Sequence, residues 1–151
     1  MIIIDTNALV VLLVGLIDTR LFRNHKRTSI YDEDDFTDLL RTIRSLNQIV
    51  TLPNIWTEVD NLLNNFSGNY KYAYIQEITK TIKETTENYL ASEIGTSSPH
   101  FQELGLTDSL ILEFAKECKL LITSDSKLSD HAIAYGIPVY DLVKVKNERL
   151  R

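Results

Sequence analysis

The chain has 151 residues, of which 44% are apolar and 25% are charged. This length fits one domain of roughly 100–200 residues, and this composition excludes a disordered or collagen-like chain. The formal net charge of −5 excludes a general basic field for nucleic acid, so any such contact has to come from a local patch.

The N-terminal segment predicts a strand, a polar turn and a helix. Residues 2–4 are isoleucines, and a short β-branched run is typical of a buried strand in a parallel sheet. Asp5, Thr6 and Asn7 follow, and leucines at helical spacing then predict a helix. A secretory signal is not expected, because the basic region and the cleavage site are missing. With the lone Cys118, expected to be a buried thiol, this favours a cytoplasmic protein without membrane contact.

Helices and strands alternate along the rest of the chain. The spacing of apolar residues predicts helices over 36–46, 53–66, 70–91, 108–117 and 128–135, and strands over 48–52, 120–123 and 137–140. Pro53 suits the first turn of its helix, Gly136 ends the helix before it, and Pro138 places the last strand at an edge. We expect a loop or short exposed helix over 20–35, and a charged tail that frays from residue 144.

This alternation predicts an α/β domain around a parallel sheet. Ligands of such sheets bind beyond the carboxyl ends of the strands. Asp5 directly follows the first strand, and Asp125 follows the strand over 120–123, while Glu58 and Asp108 lie near the starts of helices. Taken singly, each acid is better explained as an ordinary turn or helix residue.

Carboxylates that converge at one rim need a cation, because they repel one another and lose hydration. The sequence has no Cys cluster and no His pair at ligand spacing, which disfavours zinc, and oxygen ligands favour Mg²⁺. An acidic metal site without a protein nucleophile suits phosphodiester hydrolysis, with one cation or two that lie about 3.5–4 Å apart. Thr6, Asn7, Thr123 and Ser124 are then expected to hold carboxylates and waters in place.

In the order and spacing of its motifs the chain resembles the PIN-domain nucleases. The resemblance rests on residues 2–7 (IIIDTN), on Glu58, on residues 106–115 (LTDSLILEFA) and on residues 121–125 (LITSD). It implies a three-layer α/β/α sandwich on a central parallel sheet and an endoribonuclease that depends on Mg²⁺ or Mn²⁺. The metal-binding acids of the family then fall on Asp5, Glu58, Asp108 and Asp125.

Many members of the family are toxins that dimerise and are neutralised by a small protein. The resemblance therefore implies an RNA substrate, a homodimer and an antitoxin partner. The chain departs from the compact toxin pattern at residues 16–35 and 70–91, which we interpret as insertions in a single domain over residues 1–151. Asp60 and Glu77 remain alternatives to Glu58 as the second acid.

The candidate RNA-binding residues are basic and lie beside the first helix or the Asp125 turn. They are Arg20, Arg23, Lys26, Arg27 and Lys127. The acidic run over residues 32–35 repels RNA and is expected to be a solvated face or a helix start. His25, His100 and His131 are scattered, so none of them indicates a general base.

Other classes of protein fit the sequence less well. A PIN-like module that binds RNA or protein without cleaving is the open alternative. A phosphoryl-accepting receiver domain needs a paired acidic motif after the first strand, and only Asp5 stands there. No Gly-rich turn follows a strand, which excludes a P-loop or dinucleotide site.

Overall fold

The strands form one parallel sheet. In this computed structural model, which describes residues 1–65 and 68–151, the strands are β1 (Ile2–Ile4), β2 (Ile49–Thr51), β3 (Thr86–Glu87), β4 (Leu120–Thr123) and β5 (Val139–Asp141). They lie in the order β3-β2-β1-β4-β5, and every neighbouring pair is parallel. The predicted α/β/α sandwich is confirmed. All of β1 is buried, because helices cover both faces of the sheet.

The helices connect successive strands, except for the last helix, which follows β5. They are α1 (Thr6–Ile17), α2 (Glu33–Ile43), α3 (Pro53–Leu63), α4 (Asn69–Glu84), α5 (Ser92–Thr96), α6 (Phe101–Ala115), α7 (Ser126–Ala134) and α8 (Leu142–Arg149). Short 3₁₀ helices lie at Thr19–Asn24 and Leu46–Gln48. Within the described residues no helix combines the length and apolar character needed to cross a bilayer. The predicted end of helix 53–66 lies partly outside the described residues.

The centre of the sheet is a topological switch point. From β1 the chain builds β2 and β3 on one side, and β4 and β5 on the other. The backbone N–H of Asp5, just beyond β1, donates to the carbonyl of Ile122 in β4 at 2.9 Å. A crevice beyond the carboxyl ends of the strands is therefore expected between β1 and β4.

Several local predictions are confirmed. Pro53 opens α3, and Pro138 precedes β5, which is an edge strand. Gly136 follows α7 with a φ of +76°, a conformation that glycine adopts without strain. The prediction that Cys118 is buried is confirmed only in part, because the residue is half-buried; its Sγ donates to the Phe114 carbonyl at 3.5 Å, and burial raises the pKa of its thiol.

The helix predicted over residues 70–91 is wrong beyond Glu84. Thr85 is extended, with φ −98° and ψ 164°, and β3 follows it and pairs with β2. The physical reason is the run of β-branched threonines, which are modest helix formers and fit a pleated strand. The Thr85 hydroxyl donates to the Thr81 carbonyl at 2.9 Å and so satisfies the end of α4.

The segment over residues 20–35 is more ordered than the expected loop. Its 3₁₀ helix buries Leu21 and Phe22 in the hydrophobic core. Asp32 and Asp35 form a capping box, so α2 begins at Glu33 rather than at residue 36. The acidic run is therefore a helix start, as one of its two interpretations predicted. The interpretation of residues 16–35 and 70–91 as insertions stays a prediction, as does the single domain over residues 1–151.

The prediction that the tail frays from residue 144 is wrong. Asp141 caps α8 by accepting hydrogen bonds from the N–H groups of Val143 and Lys144, at 3.0 and 3.1 Å. Lys146 Nζ donates to Asp35 at 2.8 Å, and Arg149 forms an ion pair with the same carboxylate. These partners lie more than a hundred residues away along the chain, so local patterns do not reveal them.

The ion pairs of Asp35 are expected to make the free energy of unfolding depend on pH. Burial alone would raise the pKa of Asp35, but hydrogen bonds from Lys146 and Arg149 hold this pKa below its ordinary value of 3.8. A carboxylate with a lowered folded pKa stabilises the fold above its unfolded pKa, about 3.9, and loses that contribution as the pH falls through the folded value.

We therefore expect Asp35→Asn to unfold more easily than wild type at pH 6, by about 2 kcal/mol, and the two proteins to converge below about pH 4. Urea unfolding from pH 7 to pH 2 measures both effects. Asp34→Asn, at an exposed position of the same helix, is the control and should show no convergence of this kind. A constant difference across the pH range would contradict the role of the ion pairs.

Candidate active site

A cavity of about 310 Å³ lies beyond the carboxyl ends of β1 and β4. Its lining includes the four predicted carboxylates, Asp5, Glu58, Asp108 and Asp125. Thr6, Asn7 and Arg27 line it too, and so do Asn61 and Leu62, which the sequence did not single out. The predicted acids thus share one cavity although they come from α3, α6 and the ends of two strands.

Asp5 is the most deeply buried of these acids, with 3% of its surface exposed. Its Oδ1 accepts from the Ala8 N–H at 2.8 Å and so caps α1. Its Oδ2 accepts from the Thr123 hydroxyl and from the Ser124 N–H. Burial raises the pKa of Asp5 to about 6, although these hydrogen bonds act in the opposite direction.

Asp125 is connected to Asp5 through Thr123. The Thr123 hydroxyl donates to Asp5 and accepts from the Asp125 N–H at 2.9 Å. Asp125 Oδ1 accepts from the Leu128 N–H at 2.9 Å and so caps α7. The Thr123 hydroxyl and the Ser124 N–H therefore both contact the Asp5 carboxylate. That these residues hold acids and waters for a cation stays a prediction.

Glu58 is held by a hydroxyl on each of its oxygens. Thr6 Oγ1 donates to Oε1 at 2.8 Å, and Thr107 Oγ1 donates to Oε2 at 2.5 Å. These bonds join α3 to α1 and α6. The predicted helix start at residue 108 lies inside α6, which spans Phe101–Ala115 and is kinked at Gly105, where φ is +79°. The Thr107 hydroxyl, just before that predicted start, donates to Glu58. The position of Thr107, directly before Asp108, was the one available signal.

The alternatives to Glu58 have other partners. Asp60 Oδ1 accepts from the Tyr74 hydroxyl at 2.7 Å, and Glu77 Oε2 accepts from Thr81 Oγ1 at 3.1 Å. Neither acid is part of the lining of the cavity. The geometry therefore favours Glu58 as the second acid.

Asp108 is the acid without a compensating partner. In the part of the chain that the structure describes, no protein group donates a hydrogen bond to its carboxylate. Burial raises its pKa to about 7, and the nearby charges of Asp5, Asp125 and Glu58 act in the same direction. Over residues 1–65 and 68–151, none of the four acids forms an ion pair with a Lys or Arg.

The donor set fits a hard cation better than zinc. No described residue in the lining is His or Cys, and carboxylates offer the oxygen ligands that Mg²⁺ prefers. Among the described residues no group of three or more His, Cys, Asp or Glu side chains is arranged so that it could hold a metal ion. Mg²⁺ commonly uses only one or two carboxylates and keeps several waters, so the cavity fits such a partly hydrated ion.

The fold does not place the predicted RNA-binding residues at one site. Arg27 lines the cavity, whereas Arg20 and Arg23 line a separate pocket. Arg20 also forms a two-pronged pair with Asp18, with an Nη2 to Oδ2 distance of 2.7 Å. Lys26 and Lys127 are exposed.

The three histidines are not among the described residues that line the cavity. His100 and His131 stack with ring centroids 4.1 Å apart, and their ring nitrogens contact Tyr135 and Glu103 respectively. His25 contacts the carbonyl of Leu62 at 3.1 Å from the loop that carries Arg27.

Comparison of the chain with protein-family models, with curated proteins and with solved structures gives no match. The resemblance to PIN-domain nucleases therefore stays a prediction from the motifs. What the site can do has to be inferred from its geometry and charge.

Loss of the Thr107 hydroxyl is expected to weaken cation binding at the cavity. Thr107→Val removes the hydrogen bond to Glu58 Oε2, so we expect an affinity for Mn²⁺ that is about 10–100-fold lower, as for other groups that orient ligands. Isothermal titration with MnCl₂ measures this. Thr107→Ser keeps the hydroxyl and should bind like wild type; equal affinity of all three proteins would contradict a role for this bond.

Proposed function

We propose that the chain is a Mg²⁺- or Mn²⁺-dependent endoribonuclease that hydrolyses RNA phosphodiester bonds at the cavity beyond β1 and β4. One observation carries the proposal. Four carboxylates line this cavity, and within the described residues neither Lys nor Arg pairs with them. Four carboxylates placed this close together without a cationic partner destabilise the folded protein, and a bound cation offsets that cost.

The acids divide into two roles. Asp5 and Glu58 accept hydrogen bonds on both of their oxygens, so they supply charge and orient waters. Asp108, and the Oδ2 atom of Asp125, accept no hydrogen bond from the described protein groups, so they are the candidates for direct contact with a cation. When bound, the cation polarises a phosphate oxygen and makes its water ligand more acidic.

Water is the attacking group in this proposal. None of the described lining residues is Ser, Cys, His or Lys, and the one hydroxyl, that of Thr6, already donates to Glu58. A hydroxyl, thiol, imidazole or amine nucleophile is therefore not expected, and we assign the carboxylates to the cation and to water rather than to attack on phosphorus. Hydrolysis then depends on how the carboxylates place the water and the strand.

The finer parts of the proposal rest on the motif resemblance. They are a toxin function, a homodimer and a small antitoxin protein as partner. A reducing, cytoplasmic setting is supported by the lone Cys118.

The second candidate function is a PIN-like module that binds RNA or a protein without cleavage. It is favoured by one observation, that among the described residues no three His, Cys, Asp or Glu side chains are arranged so that they could hold a metal ion. It keeps the same fold and the same cavity, so the two functions differ in chemistry and not in architecture.

Incubation of a labelled single-stranded RNA with the purified chain tests the proposal. We expect cleavage in MgCl₂ or MnCl₂ and none in EDTA. Binding of the RNA without cleavage in any cation would support the module instead. If the chain neither binds nor cleaves the RNA, the endoribonuclease and an RNA-binding module are both contradicted, and only a module that binds a protein agrees with the result.

A further inference from the structure

We infer that Arg27 binds a phosphate of the RNA strand at the mouth of the carboxylate cavity, and that His25 is the positioning residue that holds it there. This inference rests on the proposed function and names the group that receives the substrate. An acidic cavity repels a polyanion, so a strand that enters it needs a cationic contact close to the acids.

Arg27 is the basic side chain among the described residues of the cavity lining. Although it faces carboxylates, it forms no ion pair with them, and its described side-chain contact is Nη1 to Asn7 Oδ1 at 3.4 Å. The guanidinium carries five N–H donors in a planar fork, so most of them remain for a ligand. This fork matches two phosphate oxygens, which a lysine ammonium does not.

The imidazole of His25 fixes the backbone that carries Arg27. His25 Nδ1 accepts from the Arg27 N–H at 3.1 Å, so the ring proton is assigned to Nε2, which donates to the Leu62 carbonyl at 3.1 Å. Leu62 lies in the last turn of α3, where carbonyls lack helical partners. The ring therefore ties the Arg27 loop to the helix that carries Glu58.

A second anchor lies on the other side of Arg27. The buried Thr28 hydroxyl donates to the Phe22 carbonyl at 2.7 Å. The Arg27 backbone is thus held on both sides, while its side chain is exposed. Because the backbone is fixed and the guanidinium is exposed, Arg27 can contact a phosphate of the substrate without a rearrangement of its loop.

The neighbouring basic residues lack the features that single out Arg27. Arg20 is paired with Asp18, and Lys26 is exposed and is not part of the cavity lining. Lys26→Gln therefore removes the same charge one residue away and is the matched control for Arg27→Gln.

The test is fluorescence anisotropy of a labelled single-stranded RNA with the full chain, in which Asp125→Asn blocks cleavage. We expect Arg27→Gln to weaken binding about tenfold and to reduce the slope of log affinity against log salt by about 1. Arg27→Lys should give an intermediate loss, and Lys26→Gln should change affinity less than about twofold.

His25→Ala tests the positioning role through a double-mutant cycle. We expect it to weaken RNA binding, but to add little further loss when Arg27 is already Gln, because both changes remove the same contact. Full additivity of the two losses would overturn the role of His25.

Equal affinities of Arg27→Gln and Lys26→Gln would overturn the inference while leaving the proposed function intact, provided that the unmodified chain cleaves RNA. If the unmodified chain neither binds nor cleaves RNA, the proposed function itself fails.

Discussion

Asp125→Asn is expected to lower kcat/KM for metal-dependent RNA cleavage by at least about 100-fold while the fold is preserved. The side-chain oxygen of Asn can still accept from the Leu128 N–H, and Asn is as good an N-cap as Asp. The substitution therefore leaves α7 capped and removes one negative charge from the cavity. Cleavage of a labelled RNA, together with the circular dichroism of each protein, measures both effects.

Asp141→Asn is the matched control for this experiment. Asp141 also stands at the end of a strand and caps a helix through Oδ1, but it is not part of the cavity lining. We expect its variant to cleave RNA like wild type. If Asp125→Asn also retains full activity, or if both variants lose activity equally, the carboxylate of Asp125 has no special role in the chemistry.

Asp108→Asn is expected to stabilise the protein when no cation is added. The Asp108 carboxylate is partly buried beside three other acids and has no donor among the described residues, so its charge opposes folding at neutral pH. Removing that charge should raise Tm at pH 8 by about 2–4 °C, which corresponds to about 1 kcal/mol. Thermal unfolding in EDTA measures this gain.

Added Mn²⁺ should reverse the order of the two proteins. A ligand that binds only the folded state raises its stability by mass action, so wild type should gain Tm with MnCl₂ and Asp108→Asn should gain much less. Asp34→Asn changes the net charge equally at an exposed position and should respond to Mn²⁺ like wild type. A lower Tm of Asp108→Asn in EDTA would contradict the proposed charge crowding.

The strands nearest the site could be predicted because their signals are local. β1 and β4 are short apolar runs that end in polar residues, and the carboxyl ends of parallel strands meet at one edge. This is why Asp5 and Asp125, far apart in the chain, could be placed together from their positions alone. Glu58 and Asp108 needed the resemblance as well, because a helical acid has no local mark of function.

The features that were missed depend on contacts between distant segments. The Thr107 hydroxyl donates to Glu58, Asp35 pairs with Lys146 of α8, and β3 pairs with β2. The local patterns of these segments do not indicate these contacts. Thr107 only precedes a predicted helix, α8 has the composition of a charged tail, and β3 has that of a threonine-rich helix end. Arg27 and Lys26 are adjacent basic residues in the sequence, and it is the fold that places Arg27 in the cavity lining and leaves Lys26 out of it.

The position of Mn²⁺ in crystals soaked with MnCl₂ tests the central claim most directly, because anomalous scattering locates the ion without any assay of activity. We predict a peak in the cavity about 2.1 Å from a carboxylate oxygen of Asp108 or Asp125, as expected for a hard dication, and its loss in Asp125→Asn crystals. Ordered Mn²⁺ bound elsewhere on the molecule while this cavity holds none would contradict it.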